Sequence, residues 1–111
     1  TSNDVPPPFI VENNGTVFVN TSVNASRLFI SGSYPSNNYQ FKIRESEIGS
    51  FSPSSLTNWT NFDSILQVAI VSLDFNDARD SAKTDVLIRV PSGEPPGQRN
   101  SSVTFLASLG E

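Results

Sequence analysis

Asparagine side chains two residues before a hydroxyl are the residues of this sequence whose type and spacing best fit a defined chemistry. The pattern Asn-x-Ser/Thr, with any residue but proline in the middle, is the acceptor for N-linked glycans. Five asparagines fit it, about twice the number expected by chance from the Ser and Thr content. They are Asn14, Asn20, Asn24, Asn58 and Asn100. We predict that at least one of them carries a glycan.

The positions of these asparagines support that prediction but leave an alternative open. Asn14, Asn58 and Asn100 lie in turn or loop contexts, whereas Asn20 and Asn24 share the polar face of one predicted strand and its end. Both settings leave room for a bulky, solvating glycan. The alternative is that these are ordinary Asn and Ser residues, which are common in turns because their short polar side chains bond to nearby backbone.

A second candidate site is the acidic turn that begins at Asp74. Its oxygen-bearing residues have the spacing of ligands in an EF-hand calcium loop. These residues are Asp74, Asn76, Asp80 and Asp85. However, Arg79 stands where that loop requires Gly, Asp85 replaces the longer terminal Glu, and predicted strands flank the turn. We therefore predict no metal site and interpret the segment as a solvated hairpin turn in which Arg79 pairs with an acid.

The residue types on which most enzymes depend are missing. The chain has no His and no Cys, which removes the commonest general base, the commonest metal ligand and the best soft nucleophile. No second acid is placed at the distance that a glycosidase requires, and the sequence shows neither a phosphate-cradling loop nor a nucleophile elbow. We therefore predict that the protein is not an enzyme, has no catalytic residues and needs no cofactor.

Charge and polarity narrow the class of protein further. The net charge is -4, with 2 Lys and 5 Arg, so the chain lacks the basic footprint of a nucleic-acid binder. Only 16% of the residues are charged, whereas Ser, Asn and Thr number 18, 11 and 7, a polar surface typical of exported proteins. The longest apolar run, residues 65–73, is about half the length of a membrane-spanning helix. We expect an extracellular or cell-surface protein without a membrane span in these residues.

The elements that position these residues are predicted to be β-strands. Apolar and polar residues alternate, as they do in half-buried strands, in residues 16–23, 38–44, 84–90 and 103–108. No segment has a helical period. Turn signals separate about seven strands at the spacing of a sandwich. The sequence therefore predicts an all-β fold, an Ig-like Greek-key β-sandwich.

The connections between these strands carry their own signals. Asn13-Asn-Gly15 predicts a hairpin between the strand at 9–12 and the strand at 16–23. The apolar run 65–75, rich in Val and Ile, predicts a central strand. Prolines and glycines between residues 91 and 102 predict a crossing between the edges of the sandwich.

Two segments have more than one interpretation. Residues 45–63 form an unusually long loop, whose aromatic side chains either plug one end of the core or, with Trp59 and Tyr39 as stacking partners, bind a sugar. Residues 1–8, with three prolines, form either an extended tail or an inter-subunit arm, and 9–111 form one domain. Because the chain begins at Thr1 and shows no signal-type apolar run, we also expect a processed product or an excised fragment.

Two stretches together resemble a known group of domains. Residues 9–23 (FIVENNGTVFVNTSV) resemble the opening of Ig-like β-sandwich domains in archaeal and bacterial surface proteins, with an apolar strand, Asn-x-Gly, Val-x-Val and Asn-x-Ser. Residues 85–105 resemble their last two strands and the crossing between them. Such domains occur in archaeal cell-envelope proteins and in fibre-forming proteins of the TasA/camelysin type. Some related filaments donate an N-terminal strand to the next subunit, which would give residues 1–8 a purpose.

The resemblance implies a structural subunit or domain of a filament, pilus or surface layer. Its partners would be copies of itself, in a homopolymer or surface lattice, and its surface would carry covalent N-glycans. The alternative function is a secreted carbohydrate-binding or adhesin β-sandwich module.

Overall fold

The computed structural model describes residues 3–4 and 8–109, and this part of the chain contains eight β-strands and no helix. In chain order the strands are β1 (Asn3–Asp4), β2 (Phe9–Glu12), β3 (Val19–Ala25), β4 (Tyr39–Glu45), β5 (Thr60–Asn61), β6 (Gln67–Leu73), β7 (Ser81–Arg89) and β8 (Val103–Leu109). β1 and β5 have only two residues each.

Two antiparallel sheets pack face to face and confirm the prediction of an all-β sandwich. In the first sheet β7 is central, with β1 and β2 on one side and β4 on the other, and β5 pairs with β4. The second sheet has the order β6-β3-β8. All pairs are antiparallel. Side chains of the two inner faces fill the space between the sheets.

The predicted alternation of apolar and polar residues along the strands indicates which side chains form the core. Burial alternates along β3 from Thr21 to Ala25 and along β4 from Tyr39 to Ile43. In β7 the residues from Thr84 to Leu87 are all buried. Phe62, directly after β5, is fully buried, and its ring lies 4.4 Å from that of Tyr39 and 4.8 Å from that of Phe41. The buried apolar residues that pack together as the core are Val23, Ala25, Tyr39, Phe41, Ile43, Phe62, Ala69, Ile70, Leu73, Ala82 and Val86.

The connection between β7 and β8 is a crossing from the first sheet to the second, as predicted. Glu94, in the middle of this crossing, ties it to the loop after β3. Its carboxylate accepts hydrogen bonds from the backbone N–H of Ile30 (3.1 Å) and Ser31 (2.9 Å), from the Ser31 hydroxyl (2.7 Å) and from Nε of Arg99 (2.5 Å). Burial opposes ionisation of Glu94, but these bonds outweigh it and lower its pKa from 4.5 to about 2.

The predicted hairpin between residues 9–12 and 16–23 is wrong. β2 pairs with β7, whereas β3 pairs with β6 and β8 in the other sheet. The reason is Asn13, which is buried and donates its amide to the carbonyls of Val17 (2.8 Å) and Leu73 (3.0 Å). These bonds fix a connection that carries the chain from one sheet to the other, and β3 begins only at Val19.

The prediction that residues 65–75 form a central strand is also wrong, because β6 lies at the edge of its sheet. The long loop between β4 and β5 covers that edge. Its backbone N–H groups at Ser52 and Leu56 donate to the carbonyls of Val71 (2.8 Å) and Ala69 (2.9 Å). The hydroxyl of Ser55 accepts the N–H of Val71 (2.9 Å). An edge that is covered in this way tolerates the apolar composition of a central strand.

The chain enters and leaves the sandwich at opposite ends. Asn3 pairs with Arg89 at one end of β7, and Leu109 pairs with Val19 at the other end of the molecule, where Val19 also faces Leu73. Asn3 and Asp4, part of the predicted tail or arm, therefore pair within their own chain. Residues 1, 2 and 5–7 of that prediction lie outside the described residues.

Candidate functional site

The five predicted glycan acceptors are spread over the molecule and form no common site. Asn14, Asn58 and Asn100 are exposed outside the strands. Asn20 and Asn24 lie on the outer face of β3 and are half-buried. There the side-chain Oδ1 of Asn20 accepts the backbone N–H of Ser72 (3.0 Å), and the side-chain Nδ2 of Asn24 donates to the backbone carbonyl of Ser64 (3.1 Å). Glycosylation at these positions stays a prediction.

The acidic turn holds an ion pair instead of a cluster of oxygen ligands. Arg79 contacts Asp74 at 3.1 Å, the pairing that the sequence suggested. The hydrogen bond from the backbone of Asn76, together with those from Arg79 and Phe75, lowers the pKa of Asp74 against the opposing effect of burial. The turn is a connection between sheets and not a hairpin, because β6 and β7 belong to different sheets.

Asp85, the last residue of the calcium-like spacing, lies elsewhere. It forms two hydrogen bonds with Arg44 on β4, at 2.8 and 3.1 Å. These bonds lower its pKa more than burial raises it. Among the residues that the structure describes, no three acidic side chains are grouped so that they could hold a metal ion.

The two aromatic residues of the possible sugar platform lie in different places. Tyr39 is buried, 5% exposed, within the core. Trp59 is 37% exposed, and Nζ of Lys42 lies 4.8 Å from its ring centroid. Phe62 fills the core, and Phe51 packs against it, as predicted for the aromatic residues of the long loop. Trp59 does not, and it cannot share a flat platform with Tyr39.

The open edge of the second sheet, along β8, is the candidate binding site. β8 is the sequence VTFLASL, seven residues without a charge or a proline. Within residues 3–4 and 8–109, β8 pairs with one strand, β3, along its whole length. Native proteins usually block such edges with charges, prolines or a covering segment, because an open edge templates the addition of another strand.

The direction of the backbone groups along β8 follows from its first pair. Just before β8, the N–H of Ser26 donates to the carbonyl of Ser102 (3.0 Å), and the N–H of Ser102 points back to the Ser26 hydroxyl (2.9 Å). In an antiparallel ladder such pairs alternate along the strand. Even-numbered residues of β8 therefore direct their backbone groups to β3. Those of Val103, Phe105, Ala107 and Leu109 point to the open side.

The side chains of β8 are more exposed than those of any other long strand. Leu106 is 52% exposed on the outer face, and Leu109, on the inner face, is 75% exposed. The ring of Phe105 has one aromatic neighbour, Phe9 of β2, at 5.6 Å. Beside them a cavity of about 250 Å³ lies between the sheets and reaches Val86 and Val103. The two sheets are thus incompletely closed along this side.

The sequence alone does not identify β8 as the open edge. The signal was present as the lack of charge and proline in residues 103–109, but it shows only that a strand is unprotected, and not where in the sheet it lies.

Comparison with protein-family models, with curated proteins and with solved structures finds no match for this chain. Within the described residues no helix is long and apolar enough to cross a membrane.

Proposed function

We propose that this chain is a structural domain of an extracellular assembly, such as a filament, pilus or surface layer, and that copies of it bind one another through the β8 edge. The observation that carries the proposal is the open, uncharged edge of β8. Strand addition at such an edge satisfies backbone groups that otherwise bond to water and buries apolar side chains. Leu106 and Leu109 supply the apolar surface.

The distribution of glycan acceptors is consistent with this role. Asn20 and Asn24 project from the outer face of β3, one strand away from the edge. Glycans there would shield the face of the sheet and leave its edge free. Mass spectrometry of proteolytic peptides from the natural protein tests this part. We expect peptides that contain Asn20 or Asn24 to be heavier than their bare sequence, and unmodified masses for the peptides of all five acceptors would remove glycosylation from the proposal.

Sedimentation of the whole chain over a range of concentrations, with electron microscopy, tests self-association. We expect oligomers or fibres, and Leu106→Lys should weaken association by about tenfold or more, since ~1.4 kcal/mol corresponds to a factor of ten. Val68→Lys is the matched control, because Val68 is 49% exposed on the same face, across Ser22 from Leu106. Monodisperse monomers at every concentration would overturn the proposal.

A secreted carbohydrate-binding module is the second candidate, and the exposure of Trp59 favours it. An amide pair, Gln40 and Asn61, bonded at 2.8 Å, lies on the neighbouring strands β4 and β5. An exposed ring with amides nearby offers stacking and hydrogen bonds to a sugar. Binding to a glycan array that disappears in Trp59→Ala would support this candidate, and the assembly proposal predicts no such binding.

A further inference from the structure

We propose that two copies of this chain pair through their β8 strands, antiparallel and about a two-fold axis at Leu106, which joins two three-stranded sheets into one continuous sheet. The inference rests on the proposed self-association and specifies its partner, a second copy, and its register. Three properties of β8 lead to it: the direction of its free backbone groups, the symmetry of its side chains and the position of the neighbouring glycan acceptors.

The free backbone groups select an antiparallel pairing of odd-numbered residues. Val103 would face the partner's Leu109, and Phe105 the partner's Ala107, because these residues direct N–H and C=O to the open side. Each such pair exchanges two hydrogen bonds, so the symmetric contact forms about eight. A shift by one residue would pair odd with even positions, whose backbone groups point to β3. A shift by two residues would form about six bonds and leave one end of β8 unpaired.

The side chains of β8 are complementary to themselves in this register. On the inner face the large ring of Phe105 faces the small side chain of the partner's Ala107. On the outer face the hydroxyl of Thr104 faces that of the partner's Ser108. Leu106 meets itself on the axis. Because β8 has no charge, no like charges come into opposition, which is the usual obstacle to pairing a strand with its own copy. A shift by two residues in one direction would instead place Phe105 against the partner's Phe105.

The placement of the glycan acceptors favours contact by edges over contact by faces. Asn24 lies opposite Thr104 and Asn20 opposite Ser108, both on the outer face of the sheet. A glycan on either would project away from the sheet and obstruct face-to-face stacking. Pairing in the plane of the sheet leaves the outer face around both asparagines uncovered. The cavity beside Phe9 and Val103 lies under the new contact, where the partner's inner side chains can enter it.

A single engineered cysteine tests this register, because the chain has no cysteine of its own. In Leu106→Cys the two thiols would face each other across a pair without backbone hydrogen bonds, with Cα atoms about 4.5 Å apart, within reach of a disulfide. We expect a covalent dimer after mild oxidation, seen on a non-reducing gel. The reduced variant should unfold at the same temperature as the original chain.

Thr104→Cys is the matched control, on the same strand and face. Its thiol would lie about 13 Å from its own copy, four residues along the strand, so it should not cross-link alone. A mixture of Thr104→Cys and Ser108→Cys should cross-link, because these positions face each other across the axis. We expect the dimer fraction of Leu106→Cys to exceed that of Thr104→Cys by about tenfold or more.

The outcomes separate this inference from the function on which it rests. If the original chain self-associates but Leu106→Cys cross-links no better than Thr104→Cys, the symmetric pairing is overturned and self-association stands. Efficient cross-linking of Thr104→Cys alone would likewise overturn the register. If the original chain is a monomer at every concentration and no variant cross-links, both proposals fall.

Discussion

The two edge strands of the second sheet have the same length, but one is covered by a loop and the other is open. β6 and β8 are both seven residues long and both pair with β3. The loop between β4 and β5 covers β6 with backbone hydrogen bonds, whereas no described segment covers β8. An apolar strand at the edge of a sheet is thus either covered by another segment of the chain or left open. The difference lies in whether another part of the chain satisfies its backbone.

The largest effect is expected from truncating the buried aromatic ring on the side of the sandwich where the loop covers β6. Phe62→Ala should lower the free energy of unfolding by about 3–5 kcal/mol, because the ring is fully buried between Tyr39 and Phe41. Phe105→Ala, on the open side, should cost the monomer only about 1–2 kcal/mol, since that ring is partly exposed. Urea unfolding at low protein concentration measures both, and equal losses would contradict the contrast between the two sides.

A smaller effect is expected from uncovering β6 at one point. Ser55→Ala removes the acceptor for the N–H of the half-buried Val71, and an unpaired donor shielded from water costs about 1–3 kcal/mol. Hydrogen exchange at the Val71 amide should accelerate correspondingly. Ser54→Ala is the control, because Ser54 lies exposed in the same loop and bonds only within it. Similar losses for the two variants would show that the loop does not protect β6.

The third prediction concerns acid and involves no change at neutral pH. Glu94 holds the crossing that leads into β8, and its pKa is lowered from 4.5 to about 2. A carboxylate with a lowered pKa stabilises the fold above its unfolded-state pKa and loses that contribution as pH falls towards the folded-state value. Stability should therefore decline between about pH 4.5 and 2.

Glu94→Gln should flatten that decline, as measured by urea unfolding at a series of pH values. Asp74 and Asp85, whose pKa values are also lowered, should keep part of the slope. An unchanged slope in the variant would show that Glu94 contributes nothing to acid sensitivity.

The sequence predicts the long strands well, because side-chain alternation is a local consequence of the pleated backbone. Residues 38–44 and 103–108 were expected to be strands, and β4 and β8 match them within a residue. The crossing before β8 was also predictable, since its prolines and glycines cannot form a tight hairpin.

The pairing of the strands was less predictable, because it depends on contacts between distant residues. Asn13 begins a typical hairpin turn, yet its buried amide bonds to Leu73, 60 residues away. The apolar composition of residues 65–75 indicates a buried strand, yet only Ala69, Ile70 and Leu73 are buried, and a loop covers the edge of this strand. The candidate site depends on the same long-range information. An edge is open when no other segment of the chain pairs with it, and the sequence of β8 itself does not contain that information.

The opposite positions of Asn3 and Leu109 have a mechanical consequence. A pulling force transmitted through the chain would act parallel to β8 and to β2, since the chain enters at one end of the sandwich and leaves at the other. The β3–β8 ladder, paired at seven positions, would then bear the load in shear, with its hydrogen bonds strained together instead of opening one after another. A domain built in this way resists tension along its own length better than tension applied across it.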